Sequence, residues 1–274
     1  MNRIILAMVI FLAIQSIAIA ENNPSELRFS NTQQWSSTIL HLIKTWNPVW
    51  ISLSDQDKQK LSPPPNNNSK TMAIEVEELL QLQIKRSSKD VKLIKREMGI
   101  CGWNMDGFII GSNKEIDGFL IDIFFDVTHA GYKLKKEINR VRPSHYDKRI
   151  KPSIPVPNHA AYPSNHSIQT HMLALNLADI FPNKKRALLK AAHQITRNRE
   201  IAGVHYASDS KIGKLVAMNL HQKLITNKKY QNKVIKLQKK YKNNNKLFEA
   251  FTRENYSTCK GYIRGFREGA GLNL

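Results

Sequence analysis

Cysteine is scarce in this chain. Cys101 and Cys259 are the two in 274 residues. That count excludes a cysteine-rich scaffold, and the spacing offers no metal site. The nine histidines are scattered, without the paired spacing of a zinc or di-metal hydrolase. Carboxylates are also few: 22 Asp and Glu stand against 42 Lys and Arg, a formal charge of +20. After the first twenty residues no apolar run reaches the ~18 residues of a membrane span. The richest candidate, Ile116 to Val127, carries Asp117, Asp122 and Asp126. No stretch alternates like a strand, and no internal repeat is visible. These absences leave a helical mature chain without membrane insertion or a resident metal, rich in cations.

The cationic surplus has two readings. It can attract anionic substrates, lipid headgroups or nucleic acid. It can also be compositional, since Lys and Asn crowd together from Asn227 to Lys246. No nucleic-acid motif accompanies it, so nucleic acid is not an expected partner. The two cysteines fit either one disulfide, tying the region before the core to the C-terminal tail, or two buried thiols.

The N-terminus reads as a secretion signal. Arg3 supplies a positive start, Ile4 to Ala20 is almost wholly apolar, and Ala18-Ile19-Ala20 is a small-residue cleavage site. A retained anchor is the alternative. The expected division is a signal peptide over 1–20, an N-terminal extension and linker over 21–70, a helical core over 71–226, and a Lys/Asn-rich helical tail over 227–274. The expected location is periplasmic or secreted, with cleavage near Ala20-Glu21. A homo-oligomer is left open.

Helical periodicity dominates the core. Ala73, Val76, Leu79 and Leu80 share a face. Ile116, Phe119, Leu120, Ile123, Phe124 and Val127 follow the i, i+3, i+4, i+7 pattern closely. That helix should carry Lys135 toward Arg142, where Pro143 stops it. Ser144 to Tyr162 reads as an ordered loop. A helix is expected over His166 to Phe181, with Ile168, Met172, Leu175 and Ile180 apolar. Another should be capped by Asn183 and reach Arg199, and a last one should open near Ser208 and run through Leu224. The fold class is all-α, a helical bundle with the active site at helix ends.

Three short motifs carry the chemistry. Lys135 is followed after six residues by Arg142-Pro143, then Pro163-Ser164-Asn165-His166, then Asn198-Arg199 with His205 and Asp209 behind it. A helix opening at Ser164 aims free N–H groups and a positive dipole end at an anion, although a Ser in that place is more often only a cap. Arg142 and Arg199 each offer a planar fork for two oxyanion oxygens, and Lys135 adds a point charge. His205 and Asp209 lie four apart, so the carboxylate can fix the imidazole tautomer and free the other nitrogen for attack. Singly, each of these is common in an ordinary basic protein. Together they make an inventory for holding and cleaving a phosphate ester.

With these motifs in order, the stretch from Lys135 to Ala217 resembles the type 2 phosphatidic acid phosphatase superfamily. That superfamily includes bacterial class A acid phosphatases and vanadium haloperoxidases. The resemblance implies that His205 is the nucleophile, His166 the general acid, and Asp209 the residue orienting His205. It implies that Lys135, Arg142, Ser164, Asn165 and Arg199 bind phosphate, with no metal and no cofactor. The chain departs from the pattern at Asn165, where Gly is usual, and at Asn198, where Ser is usual. Asn tolerates positive φ if the backbone demands it, and its side chain should narrow the pocket. The function implied is an exported, metal-independent acid phosphatase acting on small phosphomonoesters through a phosphohistidine. The alternatives are a vanadium-dependent haloperoxidase, a lipid phosphate phosphatase, and a non-catalytic anion-binding protein.

Overall fold

The computed structural model describes residues 26–108, 113–242, 259–261 and 264. The expected signal peptide, its cleavage site and most of the tail beyond residue 242 lie outside the described residues. The described chain is helical, with no strand and two isolated bridges. Its helices are α1 (Ser37–Thr45), α2 (Asp55–Gln59), α3 (Lys70–Lys85), α4 (Ser88–Arg96), α5 (Lys114–Ile138), α6 (Pro143–Tyr146), α7 (Asn165–Ile180), α8 (Lys185–Ile201), α9 (Ala207–Leu224) and α10 (Lys228–Tyr241). Among the described residues no helix is long and apolar enough to cross a membrane.

α7 is the axis of the bundle, packed against α5, α8 and α9. A helix surrounded on most sides must be buried on most sides. Ile168, Met172 and Ile180 are buried as expected, whereas Leu175 is only half-buried. The helix instead buries polar residues, each with a hydrogen bond: Thr170 Oγ1 donates to His166 O at 2.7 Å, and Asn176 Nδ2 to Met172 O at 2.7 Å.

The apolar stripe of α5 is buried at Ile116, Phe119, Leu120, Ile123 and Val127, with Phe124 half-buried at its edge. The helix ends earlier than the Pro143 stop signal implied. Asn139 takes the left-handed conformation (φ 56°) and closes the C-terminus at Ile138, and Pro143 instead opens the short α6, with Arg142 as its N-cap. Asn183 is not a cap either. Pro182–Lys184 forms a 3₁₀ turn, and α8 starts at Lys185. The inward face of α3 is Met72, Glu75, Val76 and Leu79, so Ala73 is exposed. The face is rotated because Glu75 has a charged partner inside.

Residues 36–51 pack on α5. Leu42 belongs to the main core, and Trp46 and Trp50 lie against it. Asp126 fastens this segment, accepting from Trp46 Nε1 at 2.9 Å, from Trp50 N at 2.7 Å and from Ile51 N at 3.0 Å. Cys101 and Cys259 form a disulfide. It anchors the segment between α4 and α5, which supplies one wall of the site.

Candidate active site

The three motifs converge where α5, α7, α8 and α9 meet. Lys135, on the last turn of α5, is fully buried. Its ammonium donates to Ala160 O and Ala161 O, both at 2.8 Å. Arg142 is also fully buried. Its Nε donates to His159 O at 2.8 Å, its Nη1 to Val204 O at 2.7 Å, and its Nη2 to His159 Nδ1 at 2.9 Å. The loop before α7 therefore fixes both cations through backbone carbonyls.

His205 sits in the short turn between α8 and α9. Gly203 makes that turn with φ of +75°, a conformation that favours glycine. His205 Nδ1 donates to Asp209 Oδ2 at 3.0 Å, in the first turn of α9. The other nitrogen, Nε2, then accepts from Arg142 Nη1 at 3.1 Å. Asp209 is fully buried and also accepts from Tyr206 N at 3.0 Å and from Arg140 Nη1 at 2.6 Å. Its carboxylate is thus held on three sides.

Arg199, on the last turn of α8, is 3% exposed, yet its Nε and Nη1 have no hydrogen-bond partner among the described residues. Unpaired buried guanidinium nitrogens are costly unless something else occupies them. Arg199 lines a cavity of about 420 Å³, together with Asn165, His166 and His205. Lys135, Arg142, Ser164 and Asp209 are fully buried behind that surface.

His166 Nε2 donates to Glu97 O at 3.3 Å, and its ring lies 5.5 Å from that of Trp103. The titrating nitrogen is therefore Nδ1. Ser164 caps α7, with Oγ accepting from Ser167 N at 3.4 Å, so its structural role is evident. Asn165 opens α7 with negative φ, since Asp106 and Asn139 are the described non-glycine residues with positive φ. A conformational need for Gly or Asn there is thus not observed. Room for the side chain comes from α5: a Cβ on Gly131 would stand 2.0 Å from Asn165 Oδ1. Asn165 Nδ2 donates to Thr128 O at 3.3 Å.

Burial sets the protonation pattern. It pulls Arg142 down to about 9, with Asp209 opposing, and Arg199 down to about 10, with Glu97 opposing. It also holds His205, His166 and His159 well below the usual imidazole range. Arg142 reinforces this at His205 and His159, and Arg199 does so at His166. Burial likewise lowers Lys135.

Three residues of the supporting layer escaped the sequence reading. Arg140 is 3% exposed, with its guanidinium 3.9 Å over the Tyr206 ring. It bridges Asp209 to Glu75, donating to Glu75 Oε2 at 2.8 Å. Glu97 holds His166 by its carbonyl and accepts from Asn198 Nδ2 at 2.6 Å by its carboxylate. A charged residue in a helical pattern reads as solvated surface. Two such residues in one cluster become visible only when the chain is folded.

No family profile matches the chain, and no curated protein matches it in sequence. Solved structures do resemble it. A holo-type bacterial vanadium-dependent chloroperoxidase aligns over 74% of this chain and 56% of its own, at 11% identity and a TM-score of 0.59. The apo-type structure aligns over 74% and 57%, at 11% identity and 0.57. A bacterial vanadium-dependent iodoperoxidase covers 74% and 62%, at 15% identity and 0.49. The chain therefore spans 56% to 62% of the length of these structures. Its helical fold is similar to that of the bacterial vanadium-dependent chloroperoxidase.

Proposed function

We propose that this chain is a phosphomonoester hydrolase acting through a phosphohistidine on His205. One observation carries the reading. His205 has its Nδ1 committed to Asp209 and its Nε2 directed at Arg142, beside a cavity where two Arg199 nitrogens lack partners among the described residues. That is an oriented nucleophile next to an oxyanion site.

In the proposed reaction the phosphate oxygens take up Arg199 Nε and Nη1, the remaining N–H of Lys135, and the N–H of Arg142 that now faces Nε2. Release of that N–H frees the Nε2 lone pair to attack phosphorus. The P–O ester bond breaks, and the departing oxygen takes a proton from His166. The same group then accepts a proton from the water that attacks the P–N bond. Orthophosphate leaves and both imidazoles return to their starting state. Fixed cations stabilise the charge on the equatorial oxygens throughout.

His205→Ala removes the attacking nitrogen. It should lower kcat on a phosphomonoester by at least about 10³-fold and abolish an acid-labile phosphoenzyme, with unchanged melting. Near wild-type kcat in a well-folded variant refutes the assignment.

The chloroperoxidase likeness favours a second reading. A tetrahedral oxyanion cage fits vanadate as well as phosphate, and the unpartnered nitrogens of Arg199 suit either. Vanadate bound there would supply the peroxide-activating centre of a haloperoxidase. The two readings separate on adding orthovanadate: loss of phosphate release supports the hydrolase, and halide-dependent peroxide turnover supports the peroxidase. Export, resting on the first twenty residues, is part of the same proposal. N-terminal sequencing of the mature protein tests it.

A further inference from the structure

The cavity that reaches His205 has two unlike parts. Its nitrogen-rich end is formed by His159, His166, Arg199 and His205. The apolar share of the remaining wall includes Ile39 and Leu42 of α1, Met98 and Trp103 of the segment after α4, and Phe124 and Phe125 of α5. No carboxylate lies among the described lining residues. Ser36, Thr38, Thr128, Tyr132, Asn165 and Gln169 add polar side chains to the lining, and two of them are engaged with each other. Gln169 Nε2 donates to Thr128 Oγ1 at 2.7 Å, and Thr128 Oγ1 donates to Phe124 O at 2.6 Å. Met98 is 48% exposed.

A phosphate held at the nitrogen-rich end must place its ester substituent along these apolar walls. A substituent rich in hydroxyls would lose water against the apolar part of this wall, which weakens its binding. An apolar substituent gains by the same transfer. About 420 Å³ lies toward the small end of ligand pockets, which run from about 300 to about 1,000 Å³. That leaves room for phosphate and a group of single-ring size.

We infer that the site selects phosphate esters of compact apolar alcohols, aryl or cycloalkyl in size, over esters of polyhydroxylated alcohols. The inference rests on the phosphatase reading for its chemistry and on the cavity walls for its selectivity.

Cyclohexylmethyl phosphate and glucose 6-phosphate test it, because they share a six-membered ring and a primary ester and differ in ring polarity. The expected kcat/KM ratio is at least about 100-fold in favour of the cyclohexyl ester. Met98→Gln and Ile39→Asn, which keep the nitrogen cluster intact, should each lower that ratio about tenfold and leave inhibition by inorganic phosphate unchanged. Calorimetric binding of cyclohexylmethylphosphonate against methylphosphonate reads the walls without turnover, and the larger ligand should bind at least about tenfold more tightly. Equal kcat/KM for the two esters, or equal affinity for the two phosphonates, overturns the inference. Tighter binding of the apolar phosphonate with no hydrolysis of either ester supports the apolar selectivity and overturns the phosphatase reading instead.

Discussion

Glu75→Gln is the most informative single change, because Glu75 touches neither the cavity nor His205. Its carboxylate accepts from Arg140 Nη2 at 2.8 Å and from Ser208 N at 2.6 Å. Arg140 in turn donates to Asp209, the residue that orients His205. The amide keeps the shape and can still accept from Ser208 N, but its NH₂ then faces the Arg140 guanidinium, donor against donor. Stranding a buried charge entirely costs about 3–5 kcal/mol. Here Asp209 still neutralises Arg140, so the loss should stay near that of one charge-assisted hydrogen bond, about 1.5–3 kcal/mol. The effect on rate follows from the sharing of Asp209. With Glu75 neutral, Arg140 draws on the Asp209 carboxylate alone, which becomes a weaker acceptor for His205 Nδ1. We expect kcat to fall on the order of tenfold with little change in KM, since no group that binds substrate has moved.

A double-mutant cycle makes this refutable. Asp209→Asn should cost on the order of 10³- to 10⁴-fold in kcat, the scale seen when the orienting carboxylate of a catalytic triad is lost. If Glu75 acts through Asp209, the double variant should be little slower than Asp209→Asn alone. The assay is kcat for all four proteins, with urea unfolding beside it. Multiplicative losses, or a Glu75→Gln protein that is less stable but fully active, would refute the proposed chain from Glu75 to the nucleophile.

Two further outcomes follow from the same geometry. His166→Ala should lose far more activity on an alkyl phosphate than on an activated aryl phosphate, since a proton matters most to a poor leaving group; equal losses would make His166 only a phosphate ligand. Stability should fall as pH drops below about 6.5, because His159, His166 and His205 are held below their unfolded value and the unfolded chain takes up protons first. Each can contribute up to about 1.4 kcal/mol per pH unit, offset in part by Glu97 and Glu200, which burial pushes up and which take protons in the folded state. Urea midpoints that stay flat between about pH 7.5 and about pH 5.5, with and without phosphate, would contradict this.

The parts of the site legible in the sequence are those with a spacing. His205 and Asp209 lie four apart, close enough to meet across the start of α9, and the stripe from Ile116 to Val127 announces α5 wherever it packs. The illegible parts depend on a partner distant in sequence or on the backbone. The carbonyls of His159, Ala160 and Ala161 that fix Lys135 and Arg142 belong to no side-chain pattern. Glu75 and Arg140 read separately as solvated charges and become interior only as a pair. Gly131 and Asn165 are complementary across two helices, which neither residue reveals alone. Ser164 shows the converse limit. Its motif suggests a phosphate ligand, whereas the hydrogen bond that its hydroxyl accepts is that of a helix cap.

The electrostatics of the cluster pose a problem that the proposed chemistry itself resolves. A general acid must carry a proton, yet burial and Arg199 hold His166 neutral, and Lys135 and Arg142 press on His205 in the same sense. Cations gathered this closely in a low-dielectric pocket repel any further positive charge. A phosphate dianion at Arg199 reverses that balance, since it brings negative charge to the point where the cations converge. The proton affinity of His166 then rises when substrate is in place. His205 gains differently: Arg142 turns toward the phosphate oxygens and releases the Nε2 lone pair it had occupied at 3.1 Å. Substrate charge thus both arms the acid and uncovers the nucleophile. A neutral ester lodged against the same apolar walls would do neither, so the cage selects for charge at one end of the cavity and against polarity at the other.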